Sequence, residues 1–364
     1  SNILKRNSLR IDNEMQVIEA VNRWIRADAT REKYRTRLLN THNGAERVCE
    51  DAHKLIITIG PDLRRRGETG GLPYNIYDPL KNEWIKGSFE ESPNKLYDKC
   101  VLIDGKIVFH DYYVDEYDRE VANISIYNIE EKQWSKASLE WKFINSEFGI
   151  IGGKIFALVA PDYCELSTLH CIDPFEPSPA WNRLADMITR REQAASCAFD
   201  GKLYVFGGYV DRSRLSECEV YDPSSNTWAP IAPMKRAKER CGATVYNGEI
   251  YVCGGSTITD LSHPMDGQMC YTDLEKYSPA TNSWTTLKPM NVGRSFCTLV
   301  ASCGKLFALG GWDNGYYIQA VECYDPVRDC WELLPPMSGR RGDVKRVFAL
   351  PVPAFLPTPL PNYE

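Results

Sequence analysis

Six tryptophans recur along this 364-residue chain at intervals of 47 to 56 residues, and this period constrains the fold more than any other feature. They are Trp84, Trp134, Trp181, Trp228, Trp284 and Trp331. In five repeats a tyrosine stands seven residues before the tryptophan, at Tyr77, Tyr127, Tyr221, Tyr277 and Tyr324. The third repeat instead reads Ile172-Asp173-Pro174. A period of this length predicts an array in which each repeat is one supersecondary unit.

The later repeats share further positions. A methionine follows the tryptophan by six residues, at Met187, Met234, Met290 and Met337. A basic residue follows the methionine by four, at Arg191, Lys238, Arg294 and Arg341. Three repeats continue into a short apolar run that ends in a glycine pair, at Gly207-Gly208, Gly254-Gly255 and Gly310-Gly311. Such a run predicts a buried strand. The glycine pair indicates positive φ or close backbone approach.

Each repeat has room for roughly four strands, the number in a propeller blade. Asp200-Gly201 and Asn247-Gly248 precede apolar runs and predict hairpin turns. The first three repeats lack the glycine pair but keep an apolar strand and the tryptophan. Units that cannot bury their own faces stack on their neighbours, and a ring of them leaves only short, protected edges. The tyrosine and tryptophan rings are expected to fill the wedge between units.

These spacings resemble the kelch repeat, over roughly Cys49 to Pro353. The resemblance implies an all-β fold, a six-bladed kelch β-propeller over residues 46–353. Kelch-like proteins often close the ring by adding a C-terminal strand to the first blade, and Val344–Pro351 has the sequence of that strand. The proline-rich residues 354–364 predict an extended tail on the surface.

Residues 1–45 precede the repeats and predict a short α-helical segment. Over Ile11–Arg26, apolar residues including Val17, Val21 and Trp24 recur at helical spacing. The segment resembles the last helices of the BACK domain of BTB-BACK-kelch proteins. In that family the BTB and BACK parts dimerise and hold a cullin. This chain carries no BTB-like part, so we expect it to be a monomer that does not recruit a ligase alone, and the full-length protein to be a homodimer.

Composition narrows the function classes. The net charge of −6 argues against a nucleic-acid partner, and no apolar stretch is long enough to span a membrane. The 13 cysteines are scattered, which favours reduced, buried thiols in a reducing compartment. We therefore expect a cytoplasmic protein, with the nucleus as the alternative. The five histidines share no repeat spacing, so no metal site and no cofactor are predicted. No catalytic motif is found.

The candidate binding residues lie in loops that kelch propellers tend to present on one face. Aromatic and arginine side chains on rigid loops are typical of binding hot spots. The predicted partner-binding residues are Arg65, Tyr113, Arg191, Tyr209, Arg212, Arg214, Arg294, Trp312, Tyr317 and Arg341. For the repeated basic position an equally weighted alternative is a structural ion pair, for example between blades.

Three functions follow from these observations. The first is the non-catalytic substrate-recognition module of a kelch-like adaptor for a cullin-RING ubiquitin ligase, which binds a protein or peptide on the loop face. The second is a kelch scaffold that binds actin or another cytoskeletal partner without ubiquitin transfer. The third, a copper oxidase on a kelch propeller, is disfavoured because it requires histidine ligands that this sequence does not place together.

Overall fold

The computed structural model describes residues 54–59, 72–90, 92, 99–114, 120–137, 147–159, 167–211, 213–258, 268–313, 315–337 and 347–351. The predicted helical segment 1–45 and the tail 354–364 lie outside these ranges, as do Arg65, Arg212 and Arg341. All regular structure within the described ranges is β-strand.

The strands of the first three blades are β1 (Lys54–Ile59), β2 (Leu72–Asp78), β3 (Glu83–Phe89), β4 (Lys99–Ile103), β5 (Lys106–Val114), β6 (Glu120–Asn128), β7 (Gln133–Ala137), β8 (Glu147–Ile151), β9 (Lys154–Val159), β10 (Thr168–Ile172) and β11 (Asn182–Arg183). Blade two is β4-β5-β6-β7 and blade three is β8-β9-β10-β11. All neighbouring strands in them are antiparallel.

The strands of the last three blades are β12 (Ala195–Phe199), β13 (Lys202–Phe206), β14 (Tyr209–Val210), β15 (Ser213–Arg214), β16 (Cys218–Asp222), β17 (Thr227–Ile231), β18 (Glu239–Tyr246), β19 (Glu249–Ile258), β20 (Gln268–Cys270), β21 (Leu274–Ser278), β22 (Ser283–Thr286), β23 (Thr298–Ser302), β24 (Lys305–Leu309), β25 (Trp312–Asp313), β26 (Tyr316–Tyr317), β27 (Val321–Asp325) and β28 (Cys330–Leu334), followed by β29 (Val347–Pro351). Blades four, five and six are β12-β13-β16-β17, β18-β19-β21-β22 and β23-β24-β27-β28. The hairpins β14-β15 and β25-β26 form small separate sheets, and β20 pairs with β19.

The C-terminal strand closes the ring. Blade one has the order β29-β1-β2-β3, with Ile56 of β1 opposite Ala349 of β29 in an antiparallel register. Because β1 begins the described chain and β29 ends it, the first blade is built from both ends of the repeat region. The predicted closure is confirmed, with the strand starting at Val347.

The hydrophobic core lies between the blades. Six buried clusters each combine residues of two neighbouring blades. One of them joins Ile56 and Tyr77 of blade one to Val300 and Phe307 of blade six, so the series of interfaces returns to its start. No blade buries both faces alone, and the six-bladed propeller predicted from the repeat is confirmed.

The repeat tyrosines and tryptophans hold neighbouring blades together. Each of the five pairs stands at opposed positions on adjacent strands, with ring centroids 5.0 to 5.2 Å apart. The tryptophan Nε1 donates a hydrogen bond to a backbone carbonyl of the preceding blade, as from Trp284 to Ala232 at 2.7 Å. Trp84, Trp134, Trp228 and Trp331 make equivalent bonds. The predicted packing role of these rings is confirmed.

Candidate functional site

The order of the strands determines which loops share a face. In a blade of four antiparallel strands, the link from the second strand to the third lies at the same end as the link to the next blade. We call this end the loop face. On this face lie hairpin β14-β15 of blade four, β20 of blade five and hairpin β25-β26 of blade six.

The glycine pairs bring these loops against the segments that enter the next blade. Gly207 and Gly208 have φ of 59° and 99°. A Cβ at Gly207 would collide with the carbonyl oxygen of Lys238, and the Gly208 N–H donates to that oxygen at 3.0 Å. Both predicted reasons for the glycine pair, positive φ and close backbone approach, therefore hold.

Three of the repeated basic residues, Arg191, Lys238 and Arg294, lie beneath this face in buried ion pairs. The Arg191 guanidinium donates from Nη1 to the carbonyl oxygens of Gly207 and Glu217, at 2.8 and 2.7 Å. Its Nη2 lies 2.5 Å from Glu219 Oε1. Arg294 repeats the arrangement with Gly310, Ala320 and Glu322. In blade five, Lys238 Nζ lies 2.7 Å from Glu275 Oε2.

The acidic partners of these ion pairs also bind backbone. Glu219 accepts hydrogen bonds from the N–H groups of Ile188 and Thr189, and Glu322 accepts from that of Asn291. Each glutamate stands two residues before the tyrosine of its repeat. In blades one and two the same position holds Asn75 and Ser125 instead of a glutamate. This pattern is visible in the sequence and predicts which blades carry the pair.

The structure therefore changes the interpretation of Arg191 and Arg294. Their side chains have no exposed surface, and each guanidinium ties the segment that enters a blade to the second and third strands of that blade. We assign them a structural role, the alternative left open by the sequence, and remove them from the binding surface. Arg341 occupies the same repeat position but lies outside the described ranges.

Two residues after Arg191, Lys238 and Arg294, the chain adopts a left-handed backbone conformation. Gln193, Arg240 and Phe296 have φ of 53°, 59° and 55° in blades four, five and six. The Arg240 N–H donates to the Gln193 carbonyl and the Phe296 N–H to the Arg240 carbonyl, each at 2.9 Å. These three residues form an arc around the end of the central channel, which we call the channel mouth. The repeat pattern gives no signal for these three residues, because glutamine, arginine and phenylalanine share no side-chain type.

The channel mouth opens into a cavity of about 250 Å³. Its wall includes Glu147 and Phe148 of blade three and Cys297 of blade six, with Gln193, Arg240 and Phe296 at its rim. The Arg240 side chain is about one-fifth exposed and pairs weakly with Glu239, with Nη1 3.8 Å from Oε1. Its Nε donates to Gln193 Oε1, and its guanidinium lies 4.4 Å from the centre of the Phe296 ring. The arc thus presents the positively charged guanidinium of Arg240, fixed by its hydrogen bond, beside the aromatic ring of Phe296.

Tyr209 and Arg214 make hydrogen bonds between loops beside the channel mouth. The Tyr209 hydroxyl donates to Glu192 Oε2 at 2.7 Å, and this bond together with burial raises the pKa of Tyr209 to about 12. Arg214 Nη2 donates to Glu239 Oε1 at 3.0 Å and so joins the blade-four hairpin to blade five. Both predicted residues lie on the loop face, where they connect neighbouring loops.

The blade-six hairpin carries the most exposed aromatic residues of the loop face among those described. Tyr316 and Tyr317 are 66% and 41% exposed. Trp312, in contrast, is only 9% exposed, because its strand pairs with Ser295 beneath the hairpin. Of the predicted aromatic contacts, Tyr317 is therefore available to a partner and Trp312 supports the hairpin. Tyr113 lies in β5 of blade two.

The described residues contain neither a metal-binding cluster nor a membrane-spanning helix. No group of three or more histidine, cysteine, aspartate or glutamate side chains could hold a metal ion there. In the same ranges we find no helix of the length and apolar character needed to cross a lipid bilayer.

Comparison with known families agrees with the ring of repeats. Residues 141–348 match the family described as the KLHDC2/KLHL20/DRC7 Kelch-repeats domain, which is more than half of the chain. Residues 1–41 match BACK, described as "BTB And C-terminal Kelch". The chain belongs to the kelch-like family. Its BACK part precedes the kelch propeller, as the sequence predicted.

Individual relatives in the kelch-like family are distant. Kelch-like protein 23 of Homo sapiens is 25% identical over 283 residues, covering 71% of this chain and 45% of the relative. Kelch-like protein 25 of Xenopus tropicalis is 33% identical over 151 residues, covering 41% and 26%. The solved structure of YjhT aligns with a TM-score of 0.46 and 21% identity, over 54% of this chain and 66% of that one. The chain spans about half the length of the first curated relatives it matches.

Proposed function

We propose that this kelch-like chain is the substrate-recognition module of an adaptor for a cullin-RING ubiquitin ligase. It binds a protein or peptide substrate at the channel mouth. The observation that carries the proposal is the Arg240 guanidinium beside the Phe296 ring at the rim of the cavity, with its Nε bonded to Gln193 Oε1. The three residues share a left-handed backbone at one register in three successive blades.

The side chains of the channel mouth fit a peptide-binding role. Arginine and aromatic residues in concave, well-packed positions are the usual hot-spot residues of protein interfaces. Arg240 is held by Gln193 and by the ring of Phe296, so little side-chain freedom is lost on binding. The exposed Tyr316 and Tyr317 extend this surface over blade six.

The ligase role rests on the family. The BACK match and the relatives named kelch-like protein favour an adaptor or scaffold, and no enzymatic family is indicated. In this proposal the chain alone is a monomer, and the cullin is bound through BTB and BACK parts of a homodimeric longer protein in the cytoplasm or nucleus. The actin-binding alternative is not favoured by these relatives, which are named kelch-like proteins.

Replacing Arg240 by alanine should weaken the binding of peptides selected from a random display library on the wild-type chain by roughly 30-fold or more, as expected for a hot spot worth about 2 kcal/mol. Calorimetric titration measures the effect. The control is Arg183→Ala, which removes an exposed arginine on β11, whose partner is Asp186. Equal affinities of wild type and Arg240→Ala, with both folded, would exclude the channel mouth as the binding site.

The ligase assignment is tested separately. A full-length protein that contains this chain should co-purify with a cullin, and the chain alone should not. A full-length protein that binds the selected peptides but no cullin would replace the ligase proposal by the scaffold function and leave the binding site intact.

A further inference from the structure

Two cysteines from neighbouring blades face each other below the channel mouth. Cys253 lies in β19 directly before the Gly254-Gly255 pair, and Cys297 stands directly before β23 in blade six. Their Sγ atoms are 3.8 Å apart. Cys253 is fully buried and Cys297 is 6% exposed. Both belong to the cluster that joins blade five to blade six.

The repeat register makes this thiol pair specific to one interface. The position of Cys253 is Phe206 in blade four, and the position of Cys297 is Cys241 in blade five. Phe206 and Cys241 accordingly meet in the cluster between blades four and five. Cys241 therefore occupies the blade position of Cys297, but the residue at the position of Cys253 is Phe206, which carries no thiol.

The surroundings make the two thiols chemically unequal. A hydrogen bond between them, together with the nearby Arg294 guanidinium, lowers the pKa of Cys297, while the same bond and burial raise the pKa of Cys253. The thiolate is the reactive form of cysteine. Cys297 also lines the cavity of about 250 Å³, so a small solute that enters the cavity lies next to this residue.

We propose that Cys253 and Cys297 form a reversible oxidation site, in which hydrogen peroxide converts the thiol pair into a disulfide between blades five and six. The Cys297 thiolate attacks a peroxide oxygen, the O–O bond breaks, and the products are a sulfenic acid and hydroxide, which takes up a proton as water. The Cys253 thiol then attacks the sulfenic sulfur, forms the S–S bond and releases a second water. Two thiols and one peroxide thus give one disulfide and two waters.

The geometry needs only a small adjustment. A disulfide has an S–S distance of about 2.05 Å, so the two sulfurs must approach by somewhat less than 2 Å. The bond would tie Cys297, and with it the adjacent Phe296, to the start of the blade-five loop. It would also close a loop between residues 44 positions apart, which should raise the midpoint of thermal unfolding. This site is independent of whether a peptide binds at the channel mouth.

The test uses the purified chain treated with hydrogen peroxide until the exposed Cys330 is oxidised. Free thiols are then alkylated and the protein is mapped by mass spectrometry without reduction. We expect a peptide linked through Cys253 and Cys297 that dithiothreitol separates, and a thermal midpoint that rises on oxidation. Cys253→Ser and Cys297→Ser should abolish both effects, and Cys241→Ser should keep them.

Two results would overturn the proposal. One is oxidised Cys330 with Cys253 and Cys297 both still free in the wild-type chain. The other is Cys297 captured as a sulfinic acid, or in a disulfide with Cys241, without the linked peptide. Because the wild-type map alone distinguishes these outcomes from the expected one, a serine variant that fails to fold does not remove the test.

Discussion

Replacing Arg294 by alanine should lower the free energy of unfolding by about 3–5 kcal/mol, the usual cost of removing one partner of a buried ion pair. The loss is large because Glu322 would stay buried without its cation, and both side chains are completely inaccessible. The carbonyl oxygens of Gly310 and Ala320 would each lose one hydrogen bond as well. Urea unfolding measures the change, provided the slope with denaturant stays constant.

Blade five supplies the matched control for Arg294. There the same position is Lys238, whose ammonium pairs with Glu275. Arg294→Lys should therefore be tolerated better than Arg294→Ala, since the charge is kept and only the forked contact to the carbonyls is reduced. A double variant, Arg294→Met with Glu322→Gln, should recover part of the loss because no unpaired charge remains.

The opposite pattern would restore the binding role. If Arg294→Ala unfolds at the same urea concentration as the wild type but no longer binds the selected peptides, the guanidinium acts on a ligand and not on the blade. Stability and affinity measured on the same preparation distinguish the structural role of Arg294 from a binding role. The repeat spacing alone gave these two roles equal weight.

The repeat itself predicts most of the fold. One blade geometry requires the tryptophan and tyrosine at fixed spacing and, in blades four to six, the glycine pair. Each recurrence of the tryptophan along the sequence therefore marks one blade, and six recurrences predict a six-bladed ring. The closing strand was predicted for a similar reason, since the repeat spacing leaves little room for a strand before the apolar run at Lys54, and one apolar run is left over after Trp331.

The residues of the proposed binding site were harder to predict, because the direction and the burial of a side chain decide whether it can reach a ligand. An arginine such as Arg191 looks the same in a sequence whether it enters the solvent or an ion pair with Glu219. The positions equivalent to Arg240 hold Gln193 in blade four and Phe296 in blade six, so no residue type repeats there. What these three share is a backbone conformation that their side chains do not reveal. Only the pairing of glutamate with the repeated basic residue, which is in the sequence, offered a way to recognise the structural arginines.

Deleting residues 347–364 should lower the free energy of unfolding by more than about 5 kcal/mol, a third or more of the stability of a typical domain. Without β29, the strand β1 loses its hydrogen-bonded neighbour from Lys54 to Thr58 and becomes an open edge next to the central channel. Ile56, fully buried between blades one and six, would lose part of its cover. The shortened chain should unfold at lower temperature without a sharp transition, and the open edge should promote aggregation.

The control for this deletion removes only residues 352–364, the proline-rich tail and the residues next to it, and should leave the thermal midpoint unchanged. A synthetic peptide of residues 345–353 added to the longer deletion should restore the midpoint in a concentration-dependent way, as expected for strand addition to an exposed edge. A peptide of scrambled sequence should not. If both deletions melt like the full chain, the ring is held by the interfaces between blades and does not depend on its closing strand.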